Sequence, residues 1–97
     1  MIRHIVMWGL KDPAQTVRFR ELLESCRGLV PGMVEFDVGS RATPLPDGLE
    51  ASCEVVLVST FDSLAALQAY QDHPTHRAVG AQLGPMRSSR QVMDYEF

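Results

Sequence analysis

Three histidines and one tyrosine are the residues of this chain best suited to moving protons, and three of these four fall in one octet, YQDHPTHR, Tyr70 to Arg77. A histidine near its ordinary pKa takes or gives a proton at neutral pH. A tyrosine hydroxyl can hold a carbonyl oxygen while charge develops on it. Three readings of the octet are open. In the first it only joins two helices: His73 is the N-cap before Pro74, His76 falls at the third helical position, both satisfy loose helix ends, and Tyr70 is a core ring whose hydroxyl finds one hydrogen bond. In the second it binds metal. Zinc takes three or four ligands, commonly histidines four apart on one helix. His73 and His76 are three apart and straddle a proline, with His4 as the only further histidine, so no metal is the expectation. In the third, His76, Tyr70 and His4 meet in one pocket and transfer protons.

The third reading depends on which elements carry these residues. Residues 2–10, IRHIVMWGL, read as a strand with Ile2, His4, Val6 and Trp8 on one face and Arg3, Ile5 and Met7 on the other. Asp12-Pro13-Ala14-Gln15 has the form of a capping box opening a helix. Val17, Phe19, Leu22, Leu23 and Cys26 follow at helical spacing, with Gly28 as the C-cap. Residues 33–41 alternate as a strand with one wet face, near a sheet edge. ATPLPDGLE then reads as a loop, because Pro44 and Pro46 forbid a central strand and Asp47-Gly48 signals a turn. Residues 52–61 are β-branched and nearly continuous, the pattern of a central strand buried on both faces. Asp62-Ser63 caps a helix carrying Leu64, Leu67 and Tyr70. It ends at His73, since proline disfavours helix at the residue before it. Pro74 opens a second helix through Ala78, Val79 and Leu83, and Gly84-Pro85 stops it. Residues 91–97, QVMDYEF, are the last strand.

This order, β-α-β-β-α-β with a broken second helix, is an α+β ferredoxin-like plan in one domain, residues 1–97. Right-handed crossovers place the helices on one face of a single antiparallel sheet. The other face has no cover within the chain. Yet Ile5, Met7 and the apolar run at 55–58 require both faces to be dry. A patch of that kind marks a partner, and two sheets packed face to face would bury it, so a homodimer is expected. If the even face of the first strand is the helix-covered one, His4, Tyr70 and His76 share a pocket between helix and sheet.

Composition excludes other classes. A chain of 97 residues with 45% hydrophobic content supports one core. Net charge is −3, only Lys11 is a lysine, and the arginines are scattered, which argues against nucleic acid. No apolar run approaches the roughly 20 residues of a membrane helix. MIRHIVMWGL lacks the length and the small-residue cleavage site of a secretory signal, so a cytoplasmic location is expected. Cys26 and Cys53 lie far apart in apolar patterns and read as small core residues, with neither a disulfide framework nor a zinc motif.

Four stretches, RHIVMWGLKD, LVPGMVEFDVG, VVLVSTFDSLAALQAYQDHPTHRAV and SSRQVMDYEF, together resemble the Dabb family of stress-responsive α/β-barrel domains over essentially the whole chain. The most specific part is FDSLAALQAYQDHPTHRAV followed by a terminal strand with DYE. The resemblance implies a dimeric α/β barrel of ferredoxin-like subunits and no cofactor. Many members are grouped only as stress-response proteins. A plant polyketide cyclase of the family closes its chain by an intramolecular aldol condensation, with a histidine of the HPxH segment as base and a tyrosine and a strand histidine assisting. Those positions match His76, Tyr70 and His4. The resemblance therefore implies a small-molecule pocket with cofactor-free cyclase- or isomerase-like chemistry on a carbonyl or phenolic compound. The alternative is a non-catalytic stress or binding protein whose histidines and tyrosine are structural. Cofactor-free oxygenation, known in related dimeric barrels, finds no favouring feature in these residues.

Overall fold

A computed structural model describes residues 1–41, 46 and 48–97. Strand β1 (Ile2–Leu10) leads through a single 3-10 turn (Pro13–Gln15) into helix α1 (Thr16–Glu24). Strands β2 (Met33–Ser40) and β3 (Val55–Phe61) follow, then helices α2 (Leu64–Asp72) and α3 (Pro74–Leu83). A second 3-10 turn (Gly84–Met86) precedes strand β4 (Arg87–Glu96). The sheet order is β2-β3-β1-β4 with every neighbouring pair antiparallel, the ferredoxin-like arrangement expected. β2 is an edge strand, as its wet face suggests.

The even face of β1 is the covered one. His4, Val6, Trp8 and Leu10 are buried beneath the helices with Val55, Leu57 and Phe61 of β3 and Phe36 and Val38 of β2. α1 contributes Phe19, Leu22 and Leu23, and the turn after it Cys26; α2 contributes Leu67 and Tyr70, and α3 Val79 and Leu83. Several expectations need correction. Val17, Leu64 and Ala78 are exposed, because each lies one step off the stripe that meets the sheet. Asp12 does cap, accepting from the Ala14 N–H at 3.0 Å, but what it caps is the 3-10 turn, and Gln15 forms no side-chain cap. Gly28 adopts φ +72°, the left-handed conformation of a helix-ending glycine, four residues beyond the last residue of α1. Cys53 is only half-buried and precedes its strand.

Two strand boundaries also differ. β3 begins at Val55, not residue 52, because Glu54 is engaged at the end of β1. Its N–H donates to the Trp8 carbonyl at 2.9 Å and its carboxylate accepts from the Leu10 N–H at 3.0 Å. β4 begins at Arg87, not residue 91. RSSR has no apolar alternation, but pairing with β1 satisfies its backbone regardless of side-chain pattern. In the expected proline-rich loop, Pro44 and Asp47 lie outside the described residues, and Gly48 sits in a turn at φ +86°. Among the described residues no helix is long and apolar enough to cross a membrane.

Gly32 is a local test of this fold. It turns the chain into β2 at φ +90°, its carbonyl accepts from the Asp62 N–H at 2.8 Å, and an added Cβ would lie 2.5 Å from an Asp62 carboxylate oxygen and 2.9 Å from the Ala66 methyl. Gly32→Ala therefore combines left-handed strain with a clash. It is expected to cost about 1–3 kcal/mol, read as a lowered midpoint in urea unfolding with unchanged slope.

Candidate functional site

The break between α2 and α3 creates the site. In a continuous helix the Tyr70 carbonyl would bond residue 74, but Pro74 has no N–H. The chain turns at His73, whose own N–H reaches back to the Tyr70 carbonyl at 3.2 Å. The Thr75 N–H, which would have served the Gln71 carbonyl, goes instead to the His73 imidazole Nδ1 at 3.1 Å. Gln71 is left with an open carbonyl, and the His76 Nδ1 bonds it at 3.2 Å. A carbonyl only accepts, so His76 Nδ1 carries the proton. In the neutral ring Nε2 is then bare and basic. The two histidines of the octet thus divide: His73 caps α3, and His76 is locked by a helix end and lines a cavity.

His4 reaches the same cavity from the sheet. On β1 it lies opposite Asp94 of β4, and its Nδ1 bonds the Asp94 carboxylate. With Nδ1 committed to the carboxylate, Nε2 faces the remaining surroundings. Tyr70 stands between the histidines. Its ring centroid is 4.5 Å from that of His76 and 6.4 Å from that of His4, and it is 1% exposed. The structure brings His4, Tyr70 and His76 together around one partly open cavity of about 150 Å³.

The environment sets protonation. Burial, reinforced by the positive potential of His4, Arg90 and His73, holds His76 below the ordinary histidine value despite its bond to Gln71. The ring is therefore neutral at pH 7. Burial pushes the Tyr70 phenol well above its ordinary value, with the Cys26 thiol beside it adding to the effect. Tyr70 thus remains a proton-bearing donor throughout the neutral range. The Cys26 thiol is itself raised by burial, which makes it a poor nucleophile. Among the described residues no group of three or more His, Cys, Asp or Glu side chains is placed to hold a metal ion.

Trp8 lines the cavity, whereas Met7 lies on the opposite sheet face. Asp94 and Arg90 are site residues that the sequence reading missed. Their signal is not local, since only the pairing of β4 with β1 sets Asp94 opposite His4 and Arg90 opposite Trp8.

Fold and site together define a ferredoxin-like α+β domain with a cavity between its helices and its sheet, lined by His4, Tyr70 and His76. The family model for the stress responsive A/B barrel domain (Dabb) matches residues 2–97, and the chain belongs to that family. No curated protein sequence matches it. Among solved structures it is similar to a dimeric ferredoxin-like protein of unknown function from Thermobifida fusca, with 28% identity, TM-score 0.81, and 99% of this chain and 90% of the other covered. A dimeric protein of unknown function and ferredoxin-like fold from Bacteroides fragilis is 29% identical with TM-score 0.79, covering 99% and 95%. The hydroxynitrile lyase of Passiflora edulis shares the fold at 21% identity and TM-score 0.79, covering 97% and 90%.

Proposed function

We propose that this protein binds a small carbonyl or phenolic compound between helix and sheet and transfers a proton on it using its own side chains. The observation that carries the reading is the convergence of His76, Tyr70 and the His4–Asp94 pair on one cavity. His76 Nε2 removes a proton from the carbon next to the carbonyl. Tyr70 donates its O–H to the carbonyl oxygen as enolate charge develops there. His4, held by Asp94, supplies the second polar contact. Returning the proton at another atom isomerises the compound; attack of the enolate on a second carbonyl in the same molecule closes a ring. A cavity of about 150 Å³ accepts roughly one benzene-sized ring.

The direct test is deuterium exchange. Small β-keto compounds and phenols are incubated with the protein in D2O and followed by proton NMR. Exchange next to the carbonyl faster than in buffer is the expected result. If no member of the panel binds or exchanges, the acid–base reading fails. Binding without exchange supports the second reading, a non-catalytic binding protein. That reading draws on the helix-joining bonds of His73 to Thr75 and His76 to Gln71.

We also infer that the working unit is a homodimer joined through the open sheet faces. Support comes from the apolar residues on that face and from the dimeric descriptions of the Thermobifida and Bacteroides proteins.

A further inference from the structure

We infer that the ligand is a small carboxylate whose anionic group is held by Arg87 and Arg90; the inference rests on the proposed pocket and names its substrate class. Both arginines line the cavity. Among the described residues Asp94 is the one carboxylate lining the cavity, and it is engaged by His4. Among the described residues, neither Arg87 nor Arg90 forms an ion pair with any carboxylate. With Asp94 taken up by His4, the two guanidinium groups are left without a carboxylate partner in the lining. A small anion completes it, and the guanidinium fork matches a carboxylate in both geometry and charge.

The backbone shows how two arginines reach one wall. Arg90, Val92 and Asp94 alternate onto the helix side of β4, opposite Trp8, Val6 and His4, and all three are exposed there at the mouth of the cavity. By simple alternation Arg87 would face away. The register shift between Gly9 and Leu10 places Arg87 opposite Leu10, which is buried on the covered face, so the bulge returns Arg87 to the cavity side. The bulge is held by specific bonds. The Gly9 N–H donates to the Ser89 hydroxyl at 3.1 Å, the Leu10 N–H to the Glu54 carboxylate at 3.0 Å, and the Lys11 N–H to the Met86 carbonyl at 3.0 Å. Gly9 is suited to the position because an added Cβ would lie 2.6 Å from the Ser89 hydroxyl oxygen and 2.9 Å from that of Ser88. Glu54, the acid of the bulge, is occupied by a backbone N–H and does not pair with the arginines.

The wall is therefore graded along β4, cationic at Arg87 and Arg90 and proton-transferring where Asp94 anchors His4. Arg90 and Asp94 are four residues apart, roughly 13 Å at the usual strand rise. Side chains from both ends plus one small ring span that distance. A ligand anchored by its carboxylate at the arginine end presents its other end to Tyr70 and His76.

Benzoate and benzamide test this, since they match in shape and differ in charge. Binding is measured by titration NMR on wild type, Arg87→Gln, Arg90→Gln and the double variant, with circular dichroism confirming the fold. Benzoate is expected to bind wild type about tenfold or more tighter than benzamide. The preference should weaken with added salt and fall to near unity in the double variant. Arg90→Lys, which keeps the charge and loses the fork, should fall between. Equal binding of the two probes, or a benzoate preference that survives in the double variant, overturns the carboxylate inference and leaves the pocket reading standing. If neither probe binds wild type the inference also falls, and the deuterium-exchange panel then decides the pocket reading separately.

Discussion

His76→Ala is expected to slow proton exchange on a bound carbonyl compound by about 10²–10⁴, the usual contribution of a positioned general base. The ring is fixed by the Gln71 carbonyl, packs on Tyr70, and is held neutral by burial, so its loss removes base and geometry together. Tyr70→Phe should cost less. It removes one hydrogen bond to the developing oxyanion, about 1–3 kcal/mol in a buried site, and keeps the ring that packs against Phe36 and Phe61. Thermal stability should therefore change little in Tyr70→Phe. The pH dependence has a definite sign. Because the folded His76 lies below its ordinary value of 6.5, the active neutral base persists below that pH, and the acid limb of activity falls lower still. Stability follows the same group. Between the depressed folded pKa and 6.5 the unfolded chain binds more protons, so stability is lost as pH falls through that window. Coulombic repulsion from His4, Arg90 and His73 adds to burial in opposing its protonation. His76→Ala should remove its share of this slope. A purely structural His76 predicts an earlier melt with ligand binding intact; that outcome would end its assignment as base.

Some of this was legible because pattern and environment agree. His4 falls on the covered face with Val6 and Trp8, and period-two alternation suffices to place it there. Pro74 marks the helix break because a missing N–H acts locally. Asp94 was not legible in the same way. Between Met93 and Tyr95 it reads as a solvent-facing acid, and only the adjacency of β4 to β1 sets it against His4. Arg87 is harder again, since a one-residue bulge reverses its face and alternation alone predicts the wrong side. His73 and His76 lie three residues apart and differ in role because Pro74 redirects the Thr75 N–H to His73, leaving the Gln71 carbonyl for His76. That choice is made by hydrogen-bond competition at a helix end, which residue spacing does not encode.

Met93→Asp is expected to convert the protein from a dimer into a folded monomer. The face of the sheet away from the helices carries Ile5 and Met7 of β1, Val56 and Val58 of β3, and Met93 and Tyr95 of β4, with Phe97 following. Met93 is 60% exposed in the isolated chain, Phe97 55%, Met7 39% and Tyr95 37%. Arg3 lies over the Phe97 ring at 4.2 Å and bonds the Tyr95 hydroxyl at 3.2 Å, which organises the aromatic end of the face. Two buried polar atoms from opposed residues of this face, Arg3 Nε and Thr60 Oγ1, have no partner among the described residues. A second sheet would dry the patch, burying on the order of 2,000 Å² in all if the interface is obligate. In a two-fold interface each substitution appears twice, and burying an unpaired carboxylate costs several kcal/mol per ion. Together these should weaken association by about a thousandfold or more. Met93 makes the sharper test because its exposure spares the subunit's own core. Sedimentation at low micromolar concentration should give twice the 10.8 kDa chain mass for wild type and the single mass for the variant. Val17→Asp, at an exposed apolar position on α1, should remain dimeric. The wild-type melting temperature should also rise with protein concentration, as mass action requires of a coupled dimer, and this measurement needs no variant to fold. A wild-type protein that sediments as a well-folded monomer, with a melt independent of concentration, would remove the dimer and leave the open face without an explanation.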